Sequence, residues 1–429
     1  MNKMSETLAL DTKPEKRVSP ADVLRIHNFR LLWIGEGISL LGDQFYLIAL
    51  PWLVLSLTGN ALAVGTVLAT AGIPRALFML VGGALTDRFT PRRLMINSNL
   101  TRMILTGFFA ALVWTGLIQI WMLYAFALLF GLADAFFFPA QTSIVPQLVD
   151  RDHLQAGNAL IQGTATLSVF VGPILAGVLV AWLDRSRSTS GIALAIAIDS
   201  LSFLASVSML SLMKIKSANP GTERALGGVF ASIRAGLLYV WNDATLKIVF
   251  PITIGLNILI NGPFAVGIPV VARTRFPEGA IAFGLIMSMF GGGALSGIIL
   301  AGVLPKPSKK RLVTIPLSVI SMMGVGLAVV GIAQIMYVAA AAALVMGMAN
   351  GYANIMLITW LQQKVAPEMM GRVMSLVMLA AVGLNPVSTA LAGALIGINA
   401  TALLICSGLL MTMFTLFAAF SPAIRMGME

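Results

Sequence analysis

Long runs of apolar residues recur along the chain from residue 31 to residue 421, and short polar segments separate them. A helix needs about 20 mostly apolar residues to cross the hydrocarbon core of a bilayer. The runs that are long enough are 31–58, 61–86, 94–117, 119–147, 155–183, 190–212, 246–272, 279–303, 312–333, 335–361, 369–396 and 399–421. The pattern therefore predicts an all-α membrane protein with twelve transmembrane helices.

Composition supports this prediction. Of 429 residues, 58% are hydrophobic and only 10% are charged, and the mean hydropathy is +0.92. About a quarter of the residues of a soluble protein are charged, and a soluble chain of this length would need that charge to cover two or three separate cores. A soluble enzyme, a fibre and a disordered chain are excluded.

Lysine and arginine are distributed unevenly among the connections between spans. Of the 28 such residues, 22 lie in the tails and the even-numbered connections, whereas Arg185, Arg187, Arg273 and Arg275 alone lie in the odd-numbered ones. Cytoplasmic loops carry the excess of basic residues, so we expect both termini in the cytoplasm. The net charge of +11 then reflects membrane topology, and we expect no nucleic-acid partner.

The longest polar interval, 213–245, separates six predicted spans from the other six. Its second part carries Phe230, Ile233, Leu237 and Trp241 at helical spacing, which predicts an amphipathic helix on the cytoplasmic membrane surface. We divide the chain into an N-terminal tail (1–30), an N-terminal six-helix bundle (31–212), this linker (213–245), a C-terminal six-helix bundle (246–421) and a C-terminal tail (422–429).

The two halves share a weak repeat. The segment Leu-Ala-Gly-Val-Leu-Val at 175–180 matches Leu-Ala-Gly-Ala-Leu-Ile at 391–396, an offset of 216 residues. Parallel duplication of a six-helix unit is typical of transporters that work by alternating access around a site near the bilayer midplane.

Few residues are available for metal or redox chemistry. The chain has one cysteine, Cys406, and two histidines, His27 and His153, and it lacks a phosphate-binding loop of the ATPase type. We therefore expect a transporter and not an enzyme, with no cofactor or metal and with a proton gradient as its energy source.

The connection after the second span reads Gly83-Ala-Leu-Thr-Asp87-Arg88-Phe-Thr-Pro-Arg92-Arg93-Leu. This segment resembles motif A of the major facilitator superfamily, although the two residues before Arg92 replace the usual Gly and Arg. The resemblance implies that Gly83, Asp87, Arg88 and Arg92 act as a conformational switch.

The fifth span contains Gly172-Pro173-Ile-Leu-Ala-Gly177, which resembles motif C of the antiporter branch of that superfamily. Proline bends a helix and small residues allow close packing, so a role in packing alone stays open.

Further segments resemble the exporter subfamily that includes enterobactin exporters and macrolide-efflux proteins. They are Asn28-Phe-Arg-Leu-Leu-Trp, Phe137-Phe-Pro-Ala and Gly371-Arg-Val-Met-Ser. The resemblance implies two six-helix bundles, a bacterial inner-membrane location and efflux, with drug resistance or siderophore export as the biological outcome. We expect a monomer in the bilayer.

Two acids lie within the first predicted span. Glu36 and Asp43 are seven residues apart and hence share a helix face. Ionisable groups inside a membrane are costly and therefore functional or paired, so both are candidates for proton or ion coupling. An interfacial position for Glu36 and a structural pair for Asp43 stay open.

Other charges lie within spans two to six. We expect Arg75 to pair with Asp43 or to meet an anionic substrate. Asp134 occupies the fourth span, where many proton-coupled drug antiporters carry an arginine. Both residues are further candidates for proton or ion coupling. We expect Asp199 to be structural, and Arg102 to extend from the cytoplasmic end of its span to the interface.

The second half carries neutral polar groups. Asn257 with Asn261, and Asn350 with Asn354, form pairs four residues apart on one helix face. They suit recognition of a polar substrate in the cavity, and they equally suit hydrogen bonds between helices. This asymmetry places proton or ion handling in the first half.

The sequence thus predicts a secondary active exporter of amphipathic small molecules that works by proton antiport. A dedicated siderophore or lipid exporter is the alternative among transporters. A non-transporting membrane sensor or assembly partner is the alternative of another class.

Motif A generates a first test. We expect Asp87→Asn to impair transport in proteoliposomes while membrane insertion and ligand binding persist, because a switch residue biases two conformations of the protein without contacting substrate. Transport at the wild-type rate would contradict this role.

Overall fold

The computed structural model describes residues 20–88, 90–183, 189–214, 227–243, 245–304 and 314–420. Within these ranges the regular structure is helical. The α-helices are α1 (Pro20–Leu24), α2 (His27–Thr58), α3 (Ala61–Arg88), α4 (Pro91–Trp114), α5 (Ile120–Leu148), α6 (Leu154–Leu183), α7 (Ser190–Leu212), α8 (Gly227–Asn242), α9 (Leu246–Arg275), α10 (Ala280–Val303), α11 (Thr314–Ile332), α12 (Met336–Lys364), α13 (Pro367–Met378) and α14 (Asn385–Phe420). A π-helix, Leu379–Gly383, joins α13 to α14.

The last apolar segment, which runs from α13 into α14, contains two membrane crossings. Eleven segments of the described chain are long and apolar enough to span a bilayer, and the last, Arg372–Leu416, has 45 residues. A straight helix of that length would measure about 68 Å, twice the hydrocarbon core. Asn399 has extended backbone angles that break it, and Ile396 and Leu404, on either side, both pack beside Gly267 of α9. The chain therefore reverses at Asn399, and the described residues make twelve crossings.

The helices pack into two bundles. Helices α2 to α7 contact one another in the first bundle, and α9 to α14 do so in the second. The bundles meet mainly where α6 packs on α10 and where α3 packs on α14. We call the end of the molecule where α2 begins the terminal end, and the end where α2 finishes the distal end. The predicted boundaries of the tails stay predictions, since 1–19 and 421–429 lie outside the described residues.

Glycine allows the contact between α6 and α10. A Cβ atom on Gly177 would overlap the carbonyl oxygen of Ala280 and lie 3.1 Å from the Cα of Gly284. Backbones approach this closely only where side chains are absent, and this is how helices associate in a bilayer, where lipid gives no hydrophobic advantage to contact between helices. Gly177 of the motif C-like segment therefore serves the packing of one bundle on the other.

The contact between α3 and α14 has the same construction. A Cβ atom on Gly393 would lie 2.9 Å from the Cα of Gly65 and 3.0 Å from the carbonyl oxygen of Ala61. Both partner segments, 61–65 and 280–284, read Ala-x-Ala-x-Gly. The repeat with an offset of 216 residues thus lies at the bundle interface, where each copy packs on the other half.

Side chains latch the two bundles at the distal end. Arg273 of α9 donates a hydrogen bond of 2.8 Å from Nη1 to Oγ of Ser56 on α2. Its guanidinium carbon lies 5.8 Å from the ring centre of Trp52, and that ring stacks on Phe283 of α10 at 6.5 Å. An arginine over an aromatic face is an attractive contact, so this latch links the two bundles at the distal end.

The linker helix α8 packs on α13 through one face. Val240 is buried, and Tyr239 accepts a hydrogen bond from the backbone N–H of Ala366 through its hydroxyl at 3.3 Å. The opposite face exposes Leu237 and Trp241, the latter at 69%. An exposed apolar face is what a helix at a membrane surface requires; the side chains of 227–233 lie outside the described part.

The glycine contacts generate a second test. We expect Gly177→Ala to destabilise the protein by about 1–3 kcal/mol, because the added methyl group overlaps α10 and forces the helices apart. Gly163→Ala on the same helix is the matched control, since a Cβ there has no atom within 4 Å, and alanine in a helix interior is favoured by about 0.5–1 kcal/mol. Thermal unfolding of the purified variants measures both. Equal melting temperatures would refute the contact.

Candidate functional site

A buried arginine lies at the centre of the first bundle. Arg102 of α4 is 2% exposed. Its Nη1 donates to Oδ1 of Asp134 at 3.2 Å, and its Nη2 donates to Oδ1 of Asn99. The guanidinium carbon lies 4.3 Å and 4.6 Å from the ring centres of Phe137 and Phe203. These contacts bring α4, α5 and α7 together around one positive charge.

The prediction that Arg102 reaches the membrane interface is wrong. The residue lies eleven positions after the first residue of α4, about 16 Å along the helix axis. Its side chain points towards α5 and α7 instead of along α4 to the lipid headgroups. Because Asp134 is within reach, a short buried ion pair replaces the long extension to solvent.

A glycine contact positions the second arginine of the site. A Cβ atom on Gly131 of α5 would lie 2.9 Å from the carbonyl carbon of Ala71 on α3, so the two helices touch through their backbones. One turn further along each helix, Arg75 Nε lies 3.0 Å from Oδ2 of Asp134. Asp134 therefore bridges two arginines, one on each carboxylate oxygen.

The first-half charges form one cluster with a graded exposure. The side chain of Arg102 is 2% exposed, that of Asp134 15% and that of Arg75 49%. The structure pairs Arg75 with Asp134, whereas the sequence suggested Asp43 or an anionic substrate as its partner. Asp43 still belongs to the cluster, because its half-buried carboxylate interacts electrostatically with Arg102, Asp134 and Arg75. Arg75 marks the side of the cluster that is open.

Glu36 lies one step from this cluster along α2. It is 2% exposed, so an interfacial position is excluded. Gln141 of α5 donates from Nε2 to Oε2 of Glu36 at 2.6 Å, whereas Oε1 has no hydrogen-bond partner among the described residues. Glu36 and Asp43 share a helix face, as expected, and both interact with Arg102.

Sequence reasoning missed three polar residues of the site. Asn99 accepts from Arg102 and donates to Oγ of Ser206 on α7 at 2.9 Å. Gln141 holds Glu36, and the ring of Tyr46 faces the cluster from α2. The spacing of three residues between Asn99 and Arg102, which puts them on one face of a helix, is the signal that would have found the first.

The first asparagine pair of the second bundle is hydrogen-bonded within its own helix, α9. Asn257 donates from Nδ2 to the carbonyl oxygen of Thr253 at 2.8 Å, and Asn261 donates to Oδ1 of Asn257 at 3.1 Å. On α12, Asn350 is half-buried and Asn354 is exposed. One hydrogen bond thus joins Asn257 to Asn261. Among the described residues, no hydrogen bond links this pair to Asn350 or Asn354.

Arg92 of the motif A-like segment caps α7. It donates from Nε to the carbonyl oxygen of Leu210 at 2.8 Å and from Nη2 to that of Ser211 at 2.6 Å. A cation at a helix C-terminus satisfies the free carbonyl groups and the helix dipole. The other residues of the motif are Gly83, Asp87 and Arg88. They lie on α3, and their side chains are outside the part that the structure describes.

The motif C-like segment packs α6 against helices of both bundles. A Cβ atom on Gly172 would lie 2.5 Å from the Cβ of Gln44 on α2. After Pro173, the backbone N–H of Ile174 donates to Oγ of Ser288 on α10 at 2.9 Å. These contacts show that the segment serves helix packing, which is one of the two roles that the sequence left open.

The buried ion pair generates a third test. We expect Arg102→Met to lower stability by about 3–5 kcal/mol, because it removes the buried partner of Asp134 and leaves only the half-exposed Arg75 to balance that carboxylate. Arg75→Met is the control, and we expect a much smaller loss since half of that side chain is exposed. Thermal unfolding compares them. Adding Asp134→Asn to Arg102→Met should restore part of the loss; no restoration would show that charge pairing is not its cause.

Comparisons with known proteins agree with this architecture. The chain is 23% identical over 396 residues to macrolide efflux protein A of Streptococcus pyogenes, which covers 86% of this chain and 90% of that protein. It is 26% identical over 392 residues to the multidrug efflux pump Tap of Mycobacterium bovis (strain BCG / Pasteur 1173P2), covering 86% and 88%. The crystal structure of the nucleoside transporter NupG superposes with a TM-score of 0.68 at 13% identity, covering 94% of this chain and 98% of that one.

The family follows from the sequence itself. The sequence model of the Major Facilitator Superfamily matches residues 32–389, which include motif A, motif C and the whole charge cluster. This match confirms the resemblance and, with the two bundles, the predicted fold class. The chain belongs to the Major Facilitator Superfamily and is a multi-pass membrane transporter, not an enzyme.

Proposed function

We propose that this protein exports amphipathic small molecules by proton antiport. The observation that carries the proposal is the charge cluster, in which two arginines share Asp134 while Asp43 lies beside them. Acids and bases within membrane-spanning helices line ion or substrate pathways, because their burial is otherwise too costly. Export is supported by the relatives named macrolide efflux protein A and multidrug efflux pump Tap.

The distribution of basic residues orients the molecule in the proposal. With both termini in the cytoplasm of a bacterial inner membrane, the distal end faces outwards. The latch of Arg273, Ser56 and Trp52 then closes the outer side, and substrate enters from the cytoplasm or inner leaflet. The protein works as a monomer and needs no cofactor beyond the proton gradient.

Competition for one carboxylate supplies the coupling. Arg75 and Arg102 carry two positive charges, and Asp134 with ionised Asp43 balances them. A cationic group of the substrate and a proton both neutralise Asp43, so occupancy by one disfavours the other. Antiport follows if each exchange takes place on opposite sides of the membrane. Glu36, about two helical turns before Asp43 on α2, is the second candidate to hold a proton.

The fourth test is transport driven by an imposed pH gradient in liposomes, with ethidium and erythromycin as probe substrates. We expect Asp43→Asn to lower gradient-driven transport at least tenfold and Glu36→Gln to lower it less, because each variant removes a carboxyl that exchanges protons. Asp152→Asn, at an exposed acid outside the spans, should transport like the wild type.

Two results would overturn parts of the proposal separately. Full gradient-driven transport by both Asp43→Asn and Glu36→Gln would make these assignments wrong and leave Asp134 as the leading carboxyl. A wild type that moves the probes but ignores the gradient would remove proton antiport and leave export driven by another ion or by substrate concentration alone.

A further inference from the structure

Asp199 is a buried acid that the mechanism above does not use. It lies in the middle of α7 and is 0% exposed. Neither oxygen of its carboxyl group has a hydrogen-bond partner among the described residues. A structural acid in a membrane protein is normally paired or hydrogen-bonded, so the structural role expected from the sequence gives no account of this side chain.

Close packing points Asp199 at α2. A Cβ atom on Gly42 would lie 3.2 Å from Oδ1 of Asp199 and 2.5 Å from the Cβ of Ser202. The absence of a side chain at Gly42 therefore leaves room for the carboxyl group directly behind Asp43. Ser202 does not satisfy it, since its hydroxyl donates to the backbone carbonyl oxygen of Asp199 at 2.7 Å.

The ionisable groups around Asp199 come from α2 and α4. Asp43 and Arg102 both interact with its carboxyl group electrostatically. Arg102 is already bonded to Asp134 and Asn99, so its attraction to Asp199 acts without a hydrogen bond. Helix α6, which also packs on α7, carries no ionisable side chain. Asp199 thus interacts electrostatically with its neighbours, and no described residue forms a hydrogen bond with its carboxyl group.

Tyr46 lies one helical turn after Gly42 and therefore on the face of α2 that packs on Asp199. Its hydroxyl is buried without a hydrogen-bond partner among the described residues, and it interacts electrostatically with Asp199, Asp134 and Asp43. The ring is held by stacking on Phe130 at 4.6 Å. A phenol hydroxyl donates one hydrogen bond while it accepts another, so it can pass a proton between two carboxyl groups without ionising.

We propose that Asp199 is a second proton-holding carboxyl of the transport cycle, which exchanges its proton with Asp43 through the hydroxyl of Tyr46. This inference rests on the proton antiport proposed above. The Tyr46 hydroxyl has no hydrogen-bond partner among the described residues in this state, so the step requires a movement that brings it within hydrogen-bond distance of both carboxyl groups. The Asp43 carboxyl then gives its proton to the Tyr46 oxygen, while Tyr46 gives its own proton to an oxygen of Asp199. One O–H bond breaks and one forms at Tyr46, no electrons are transferred, and the charge moves from Asp199 to Asp43.

The arrangement separates loading from storage. Asp43 is half-buried, whereas Asp199 is sealed behind α2. A proton on Asp199 is therefore out of reach of the cavity while Asp43 is ionised and holds the substrate. The lack of a fixed partner among the described residues suits this role, because a strong hydrogen bond or ion pair would hold Asp199 in one protonation state.

The test separates relay from support by measuring two kinds of transport on the same proteoliposomes. Gradient-driven uptake of ethidium needs proton exchange, whereas ethidium counterflow at equal pH on both sides needs only substrate binding and the conformational change. For Asp199→Asn and Tyr46→Phe we expect gradient-driven transport to fall at least tenfold and counterflow to stay within twofold of wild type. The matched control is Tyr124→Phe, which removes a half-buried hydroxyl, bonded to Thr66 at 2.7 Å, and should change neither.

Each outcome decides the proposal. Wild-type gradient-driven transport by Asp199→Asn would overturn it, even if Asp43→Asn is inactive and the antiport proposal stands. Equal loss of both kinds of transport in Tyr46→Phe, which keeps the ring and its packing, would show a structural role and overturn it as well. Should the Asp199 variant fail to fold, the result for Tyr46→Phe alone decides. A wild type insensitive to the gradient would remove the antiport proposal, and this inference with it.

Discussion

The ion pair of Arg102 with Asp134 is the interaction on which the first bundle depends. An arginine at the centre of a spanning helix costs at least about 2.5–3.5 kcal/mol on insertion scales, so the surrounding helices must bring partners to it. Helix α5 brings Asp134, α4 brings Asn99 one turn away, and α7 brings the ring of Phe203. Once Asp134 is fixed, Arg75 has a defined place on α3, and the half-buried Asp43 is held beside two fixed positive charges. The geometry of the open part of the site is therefore set by a pair that lies deeper than the half-exposed Arg75.

The two halves repeat in their packing and differ in their chemistry. Gly177 and Gly393 make matching contacts with α10 and α3, so the duplicated sequence is conserved within the chain where the bundles must approach closely. The acidic and basic side chains in the middle of the described spans, in contrast, belong to the first bundle, and the second offers Asn257 and Asn261, which are bonded within α9. The interface between the bundles is therefore built alike from both halves, whereas the charged groups inside the spans lie in one of them.

The sequence predicts the scaffold better than the site, for a physical reason. Span length, loop charge and the repeat are local properties, and they lead to twelve crossings, including the reversal at Asn399 that divides one continuous apolar segment. Which residues meet across helices depends on how each helix is rotated, and apolar faces on all sides of a span leave that rotation undefined. This is why Glu36, Asp43, Asp134 and Arg75 are recognised as candidates, whereas the partner of Arg75, the burial of Arg102 and the place of Tyr46 require the packed structure.

Helix α3 connects the site to the interface between the bundles. Ala71 touches Gly131 of the first bundle, a Cβ atom on Gly72 would lie 2.7 Å from Pro386 of the second, and Arg75 binds Asp134. These three contacts fall within about one helical turn, or 5.4 Å. Pro386 lies three positions after the end of the π-helix Leu379–Gly383. Such interruptions weaken the regular hydrogen bonding of a helix and are frequent at functional sites. A displacement of α14 at this point therefore acts on α3 next to the ion pair, so the state of Asp134 and the relative position of the bundles are physically linked through one short segment.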